Sequence, residues 1–132
     1  MKLITRDTDY ALRAICFLGK HKGRIIAVSK LVKELKIPRP FLRKNLQALN
    51  KKGILESTKG KGGGFSLARS PKKIFLLDVI EAFQGPFRLN ECFFKKSVCP
   101  HTKRCKLKKK IDAIERFVLK ELGTVTIDFL IS

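Results

Sequence analysis

The chain predicts a mainly α-helical fold with one small β-hairpin, the hairpin standing between a group of short helices and a long C-terminal helix. Three observations carry this expectation. Apolar residues recur at helical spacing from Ala11 to Leu49 and again from Leu107 to Leu122. A run of lysine and glycine, Lys59-Gly60-Lys61-Gly62-Gly63-Gly64, separates two short strand-like runs, Ile54 to Thr58 and Phe65 to Ala68. Finally, 132 residues at 44% hydrophobic content make one domain with a small core.

Thr8 or Asp9 is placed to cap a first helix whose Ala11, Leu12, Ile15 and Leu18 share a face, and Lys20-His21-Lys22-Gly23 suits its C-terminal end. Ser29 is expected to cap a short second helix through Leu31, Val32 and Leu35. After the turn at Ile37-Pro38, a third helix carries Pro40 in its first turn, where a missing N–H is harmless, and Leu42, Leu46 and Leu49 on its inner face. Three helices followed by a basic hairpin form a winged helix-turn-helix pattern. A further helix spans Leu76 to Phe83 and stops at Gln84-Gly85-Pro86. From about Lys103 to Leu122 a long amphipathic helix carries Leu107, Ile111, Ile114, Val118 and Leu122 on one stripe. With the core already accounted for, that stripe is expected to make a homodimer. The expected division is 1–85 for the winged helix-turn-helix domain, 86–105 for a cysteine loop, and 106–132 for the dimerisation helix and C-terminal segment.

Charge narrows the partners. The chain has 30 Lys+Arg against 11 Asp+Glu, a formal net charge of +19, which points first to double-stranded DNA or another nucleic acid and only second to an anionic membrane surface. From Lys20 to Lys61 stand thirteen basic residues and two acids, Glu34 and Glu56. Within that stretch Arg39, Arg43, Lys44 and Gln47 fall away from the leucine face of the third helix, near the end that meets base edges in a recognition helix. In the hairpin, glycines free the backbone to bring N–H groups close to a phosphate, and Lys59 and Lys61 add charge. Nucleotide-binding loops are excluded, because Phe65 stands where G-x-G-x-x-G needs glycine and Gly62 where a P-loop needs Ser or Thr. His21 and His101 have no nucleophile or acid in a catalytic pattern, so an enzyme is not expected. No run of 18 apolar residues spans a membrane and no signal peptide precedes the fold, which makes a cytoplasmic protein the expectation.

Cys92, Cys99 and Cys105 stand within 14 residues, separated by six and then five. In a reducing compartment such a group reads as metal ligands or redox sensors, with an iron–sulfur cluster or zinc as the occupant. A zinc site would add His101 as its fourth ligand. Cys16, alone on an apolar helical face, reads as a small core residue.

Taken together, Thr8-Asp9-Tyr10-Ala11-Leu12-Arg13, the Pro40-x-Leu42 entry to the third helix, Gly62-Gly63-Gly64-Phe65-x-Leu67-Ala68, Leu77-x-Val79-Ile80-x-Ala82 and the three-cysteine loop resemble the IscR/NsrR-type family of transcription regulators over almost the whole chain. The resemblance implies a homodimeric DNA-binding repressor that senses redox state, nitric oxide or iron–sulfur status through a [4Fe–4S] or [2Fe–2S] cluster. It assigns Cys92, Cys99 and Cys105 as ligands, Arg39, Pro40, Arg43 and Lys44 to the recognition helix, and Lys59 to Gly64, including Gly62 and Gly63, to the wing. Asp9 matches the acidic position that supplies a fourth ligand from the partner protomer. The branch that uses histidine instead has it where this chain has Lys108. Between Lys95 and Lys110 lie eight basic residues and no acid, so a cluster with three thiolates and a carboxylate, about minus two in sum, would offset their repulsion. The alternative is a zinc-stabilised or cofactor-free winged-helix repressor.

Overall fold

The computed structural model describes residues 2–21, 23–89 and 105–132. Its elements are α1 (Arg6–Lys20), α2 (Val28–Leu35), α3 (Arg39–Lys51), β1 (Leu55–Thr58), β2 (Gly64–Leu67), a 3-10 turn (Pro71–Lys73), α4 (Leu76–Gln84), α5 (Lys106–Gly123) and α6 (Ile127–Ile131).

The first helix begins earlier than the sequence indicates. Thr5, in extended conformation, is its N-cap, and the Thr5 hydroxyl accepts the Thr8 N–H at 3.4 Å. Thr8 lies inside the helix, fully buried, and the acids Asp7 and Asp9 sit in the first turn, where the helix dipole favours them. In α2 the cap is Ala27, with no side-chain hydrogen bond, so Ser29 belongs to the helix rather than capping it. Lys36 ends α2 in the left-handed region at φ 57°, and its N–H closes the turn onto the Val32 carbonyl.

Ala14, Ile15 and Leu18 of α1, Leu31 of α2 and Leu42, Leu46 and Leu49 of α3 are completely buried together. Burying one such leucine contributes about 1.5–3 kcal/mol, so this junction fixes the orientation of α3. Antiparallel pairing of β1 with β2 runs in register from Leu55–Leu67 to Thr58–Gly64. Ile26, just before α2, adds a short third edge, exchanging 2.9 Å hydrogen bonds with Phe65 in both directions.

The segment after α5 returns to the N-terminal helices. Residues on either side of the Phe75–Thr126 bridge pair, Leu76 N–H donating to the Val125 carbonyl and Ile127 N–H to the Ile74 carbonyl, each at 2.9 Å. The short α6 then packs on α1 and the 3-10 turn, with Ile127 fully buried. Gly19 makes the approach possible: a Cβ there would stand 3.2 Å from Ile131 Cδ1 and 3.6 Å from Ile127 Cγ2.

Candidate nucleic-acid interface and cysteine site

With Leu42, Leu46 and Leu49 turned inward, Arg39, Pro40, Arg43, Lys44 and Gln47 are all exposed on the outer side of α3. Arg39, Arg43 and Gln47 form one i, i+4, i+8 row, so their side chains neighbour one another along the helix. Among the described residues the ion pairs Arg13–Asp9 and Lys108–Asp112 lie elsewhere, and neither the α3 bases nor Lys59 and Lys61 have an acid to neutralise them. The N-cap of α3 is Pro38, which offers no side-chain acceptor to the first-turn amides. Asn45 faces inward on the same helix, 1% exposed, with an amide nitrogen that finds no partner. The leucine pattern alone gave no hint of it.

Glycine serves two purposes in the wing. Gly60 and Gly62 take φ of 90° and 79° with open space around them, a backbone path that other residues follow at a cost. Gly63 and Gly64 are required by close approach instead. A Cβ on Gly63 would lie 2.2 Å from the Thr58 carbonyl oxygen, and one on Gly64 2.1 Å from that of Ile26. Both keep the basic tip folded against the hairpin and the hairpin against the Ile26 edge. Lys59 and Lys61 at that tip are exposed.

Of the expected cluster ligands, Cys105 and Asp9 are described, whereas Cys92, Cys99 and His101 lie outside the described residues. Cys105 is half-buried as the N-cap of α5, its Sγ accepting the Lys108 N–H at 3.4 Å. Asp9 lies on α1 with its carboxylate exposed and joined to Arg13 Nε at 3.0 Å. Among the described residues, no three of His, Cys, Asp and Glu gather into a group able to hold a metal ion. Burial pushes the Cys16 thiol upward, with Lys20 opposing in part, which suits a packed, unreactive side chain.

A polar clamp that the sequence did not reveal ties α1 to the end of α4. Gln84, the last residue of α4, accepts the Thr5 N–H at 3.0 Å and the Thr8 hydroxyl at 2.7 Å, while its amide donates to the Leu3 carbonyl at 3.2 Å. Since Thr8 donates to Gln84, the 3.1 Å contact between the two threonine hydroxyls has Thr5 as donor. Farther along, the Leu89 N–H donates to Glu115 Oε1 on α5 at 2.9 Å. Before the cysteines begin, the chain is therefore fixed to both α1 and α5. His21 is satisfied internally, donating from Nδ1 to the Phe17 carbonyl at 2.7 Å with its ring stacked on Phe17.

On α5 the predicted apolar stripe divides. Ile111, Val118 and Leu122 are half-buried, while Leu107 and Ile114 of the same stripe are 71% and 43% exposed and Phe117, beside it, is 65% exposed. Among the described residues no helix is long and apolar enough to cross a membrane.

The family model described as Rrf2, iron-dependent transcriptional regulator, matches residues 4–132. A putative HTH-type transcriptional regulator of Aquifex aeolicus is 41% identical over 98 residues, 74% of this chain and 68% of that protein. The HTH-type transcriptional regulator NsrR of Bacillus licheniformis is 30% identical, with 92% of each chain covered. Among solved structures, CymR (YrzC), the global cysteine regulator of B. subtilis, superposes with a TM-score of 0.80 at 23% identity, covering 99% of this chain and 97% of that one. The T. potens IscR superposes at 0.74 with 20% identity, covering 98% and 85%.

Proposed function

Because this chain belongs to the Rrf2 family of transcriptional regulators, whose members are regulators rather than enzymes, we propose that it acts as a homodimer on a pseudo-palindromic duplex operator, under the control of an iron–sulfur cluster. The observation that carries the DNA reading is the row of exposed, unneutralised bases on α3 beside a glycine-shaped basic wing. Arg39 and Arg43 present forks suited to guanine O6 and N7, Lys44 and Gln47 extend the contact, and Lys59 and Lys61 take phosphates.

The residues at hand fit a cluster's donor set. Cys105 stands at the N-terminus of α5, and its Sγ already accepts a backbone N–H. Asp9 offers an exposed carboxylate to another protomer. Cys92, Cys99, Cys105 and the partner's Asp9 would hold the group as [4Fe–4S] or [2Fe–2S]. When bound, it supplies iron that is open to oxidation and to attack by nitric oxide, hence a sensor of redox state, nitric oxide or iron–sulfur status. The chain's own part is mechanical: Gln84 and Glu115 fix the cysteine-bearing segment to α1 and α5, so a change in that segment bears on the angle between them.

Leu107, Ile114 and Phe117 supply the dimer surface on α5, continuous with the half-buried Ile111 and Val118. Such a dimer would present two copies of α3 to major grooves about 34 Å apart. The deciding experiment is the visible spectrum of anaerobically purified protein with iron and acid-labile sulfide assays. Stoichiometric iron and sulfide support the cluster; zinc without sulfide replaces it with the zinc-stabilised repressor, and no metal with the cofactor-free one.

A further inference from the structure

Phe41 is the third residue of α3 and is 54% exposed. Its neighbours Pro38 and Pro40 are exposed as well, so the tip of the helix presents a small apolar island. Lys44, one turn farther along the same side, is exposed, as are Lys36, Arg39 and Arg43 at the same end of the helix. The core beneath is closed without it, because Leu42, Leu46 and Leu49 are fully buried. An aromatic ring left in water at this place does nothing for folding.

The surroundings decide what could cover it. A predominantly apolar protein partner would have to strand the bases at this end of the helix, whereas a DNA duplex supplies phosphates for them. Among the base edges that duplex presents in the major groove, the apolar feature is the C5-methyl group of thymine. We propose that Phe41 is a specificity-determining residue that selects thymine in each half-site by packing its ring on that methyl group. The inference rests on α3 being the helix that enters the major groove, and it names a preference that the arginine and lysine side chains do not supply.

Thymine can be changed to deoxyuridine, removing the methyl while leaving base pairing intact. The full-length chain, both as purified anaerobically and after chelator treatment, is used to select operators from a random duplex pool. Each thymine of the selected operator is then replaced singly by deoxyuridine, and affinity is measured by fluorescence anisotropy at fixed salt. One thymine per half-site should weaken binding about fourfold, the worth of one buried methyl. Phe41→Ala should bind the thymine and deoxyuridine operators equally and keep its affinity for unrelated duplex. Phe41→Leu, which retains an apolar side chain, should keep part of the discrimination, and thermal unfolding should be unchanged in both variants. Wild-type affinity insensitive to every substitution overturns the proposal, as does Phe41→Ala retaining sensitivity at the same thymine. If no sequence is enriched, the DNA reading itself falls and this inference with it; enrichment without methyl sensitivity rejects this inference alone.

Discussion

The Thr8 hydroxyl donates to Gln84 Oε1 at 2.7 Å, joining the first turn of α1 to the last residue of α4 across 76 positions of sequence. Thr8 is fully buried, so its hydroxyl has no water to turn to. Gln84→Leu should therefore cost about 1–3 kcal/mol, the penalty for leaving a buried donor unmade, with the Thr5 N–H losing its acceptor too. Gln84→Glu keeps the acceptor and should cost less. Urea unfolding of both variants checks this, and an unchanged midpoint for Gln84→Leu would reject the clamp.

Phe117→Asp separates dimerisation from folding. The ring is 65% exposed in the single chain, so the change should leave protomer secondary structure intact. At a dimer seam it buries an unpaired charge, costing several kcal/mol, about 3–5 for a fully buried case, and should yield monomers. Ile114→Asp, at 43% exposure, should act alike. Sedimentation that still shows dimers for both variants places the interface elsewhere.

The wing glycines should divide by mechanism. Gly63→Ala drives a Cβ into the Thr58 carbonyl and must distort the tip, so DNA affinity should fall while the melting temperature changes little. At Gly62 nothing crowds the new methyl, and only the positive φ opposes it, at about 1 kcal/mol. Equal DNA affinities for wild type and Gly63→Ala would show that the tip does not meet the duplex.

Asp9→Ala tests the partner-supplied ligand. The Asp9–Arg13 pair is half-exposed and one helical turn long, worth only about 0.3–0.5 kcal/mol. Stability should hardly move, while the visible spectrum or the lifetime of the cluster in air should change. Cys16→Ala should leave both as they are, since its thiol is packed and held protonated by burial. An Asp9→Ala spectrum and lifetime identical to wild type would remove Asp9 from the ligand set.

Base reading and phosphate contact leave different signatures. Arg43→Ala should cost about 1–3 kcal/mol on a selected operator and relax its preference at one position. Lys61→Ala should weaken binding to all duplexes alike and reduce the salt slope by about one. Equal losses on operator and random DNA for Arg43→Ala would reassign that side chain to a phosphate.

Local patterns made much of this legible. The leucines of α3 define its inner face by spacing alone, and that leaves Arg39, Arg43, Lys44 and Gln47 facing out. The glycine-lysine run marked the hairpin because no other residue type follows such a path cheaply. What the sequence hid is nonlocal. Thr5 and Thr8 are equally good caps on paper, and the choice falls to Thr5 because Gln84, far along the chain, takes the Thr8 hydroxyl. Five-residue α6 is too short to hold by itself and exists through its contact with α1 and Gly19. Phe117 lies off the predicted stripe, one turn beside Ile114, where its exposed ring widens the apolar face of α5. As proposed ligands, Cys92 and Cys99 rest on their spacing and on the family resemblance, while Cys105 adds its position as the N-cap of α5.

The Phe75–Thr126 bridge gives the molecule an unexpected anchorage. Because α5 is followed by a segment stitched back beside α4, residue Ser132 travels with the winged-helix domain rather than with the outer side of α5. A fluorophore attached near Ser132 would act as a calliper in the proposed dimer: energy transfer between the two labels would record the separation of the two winged-helix domains, with the long helices serving as the frame of the instrument.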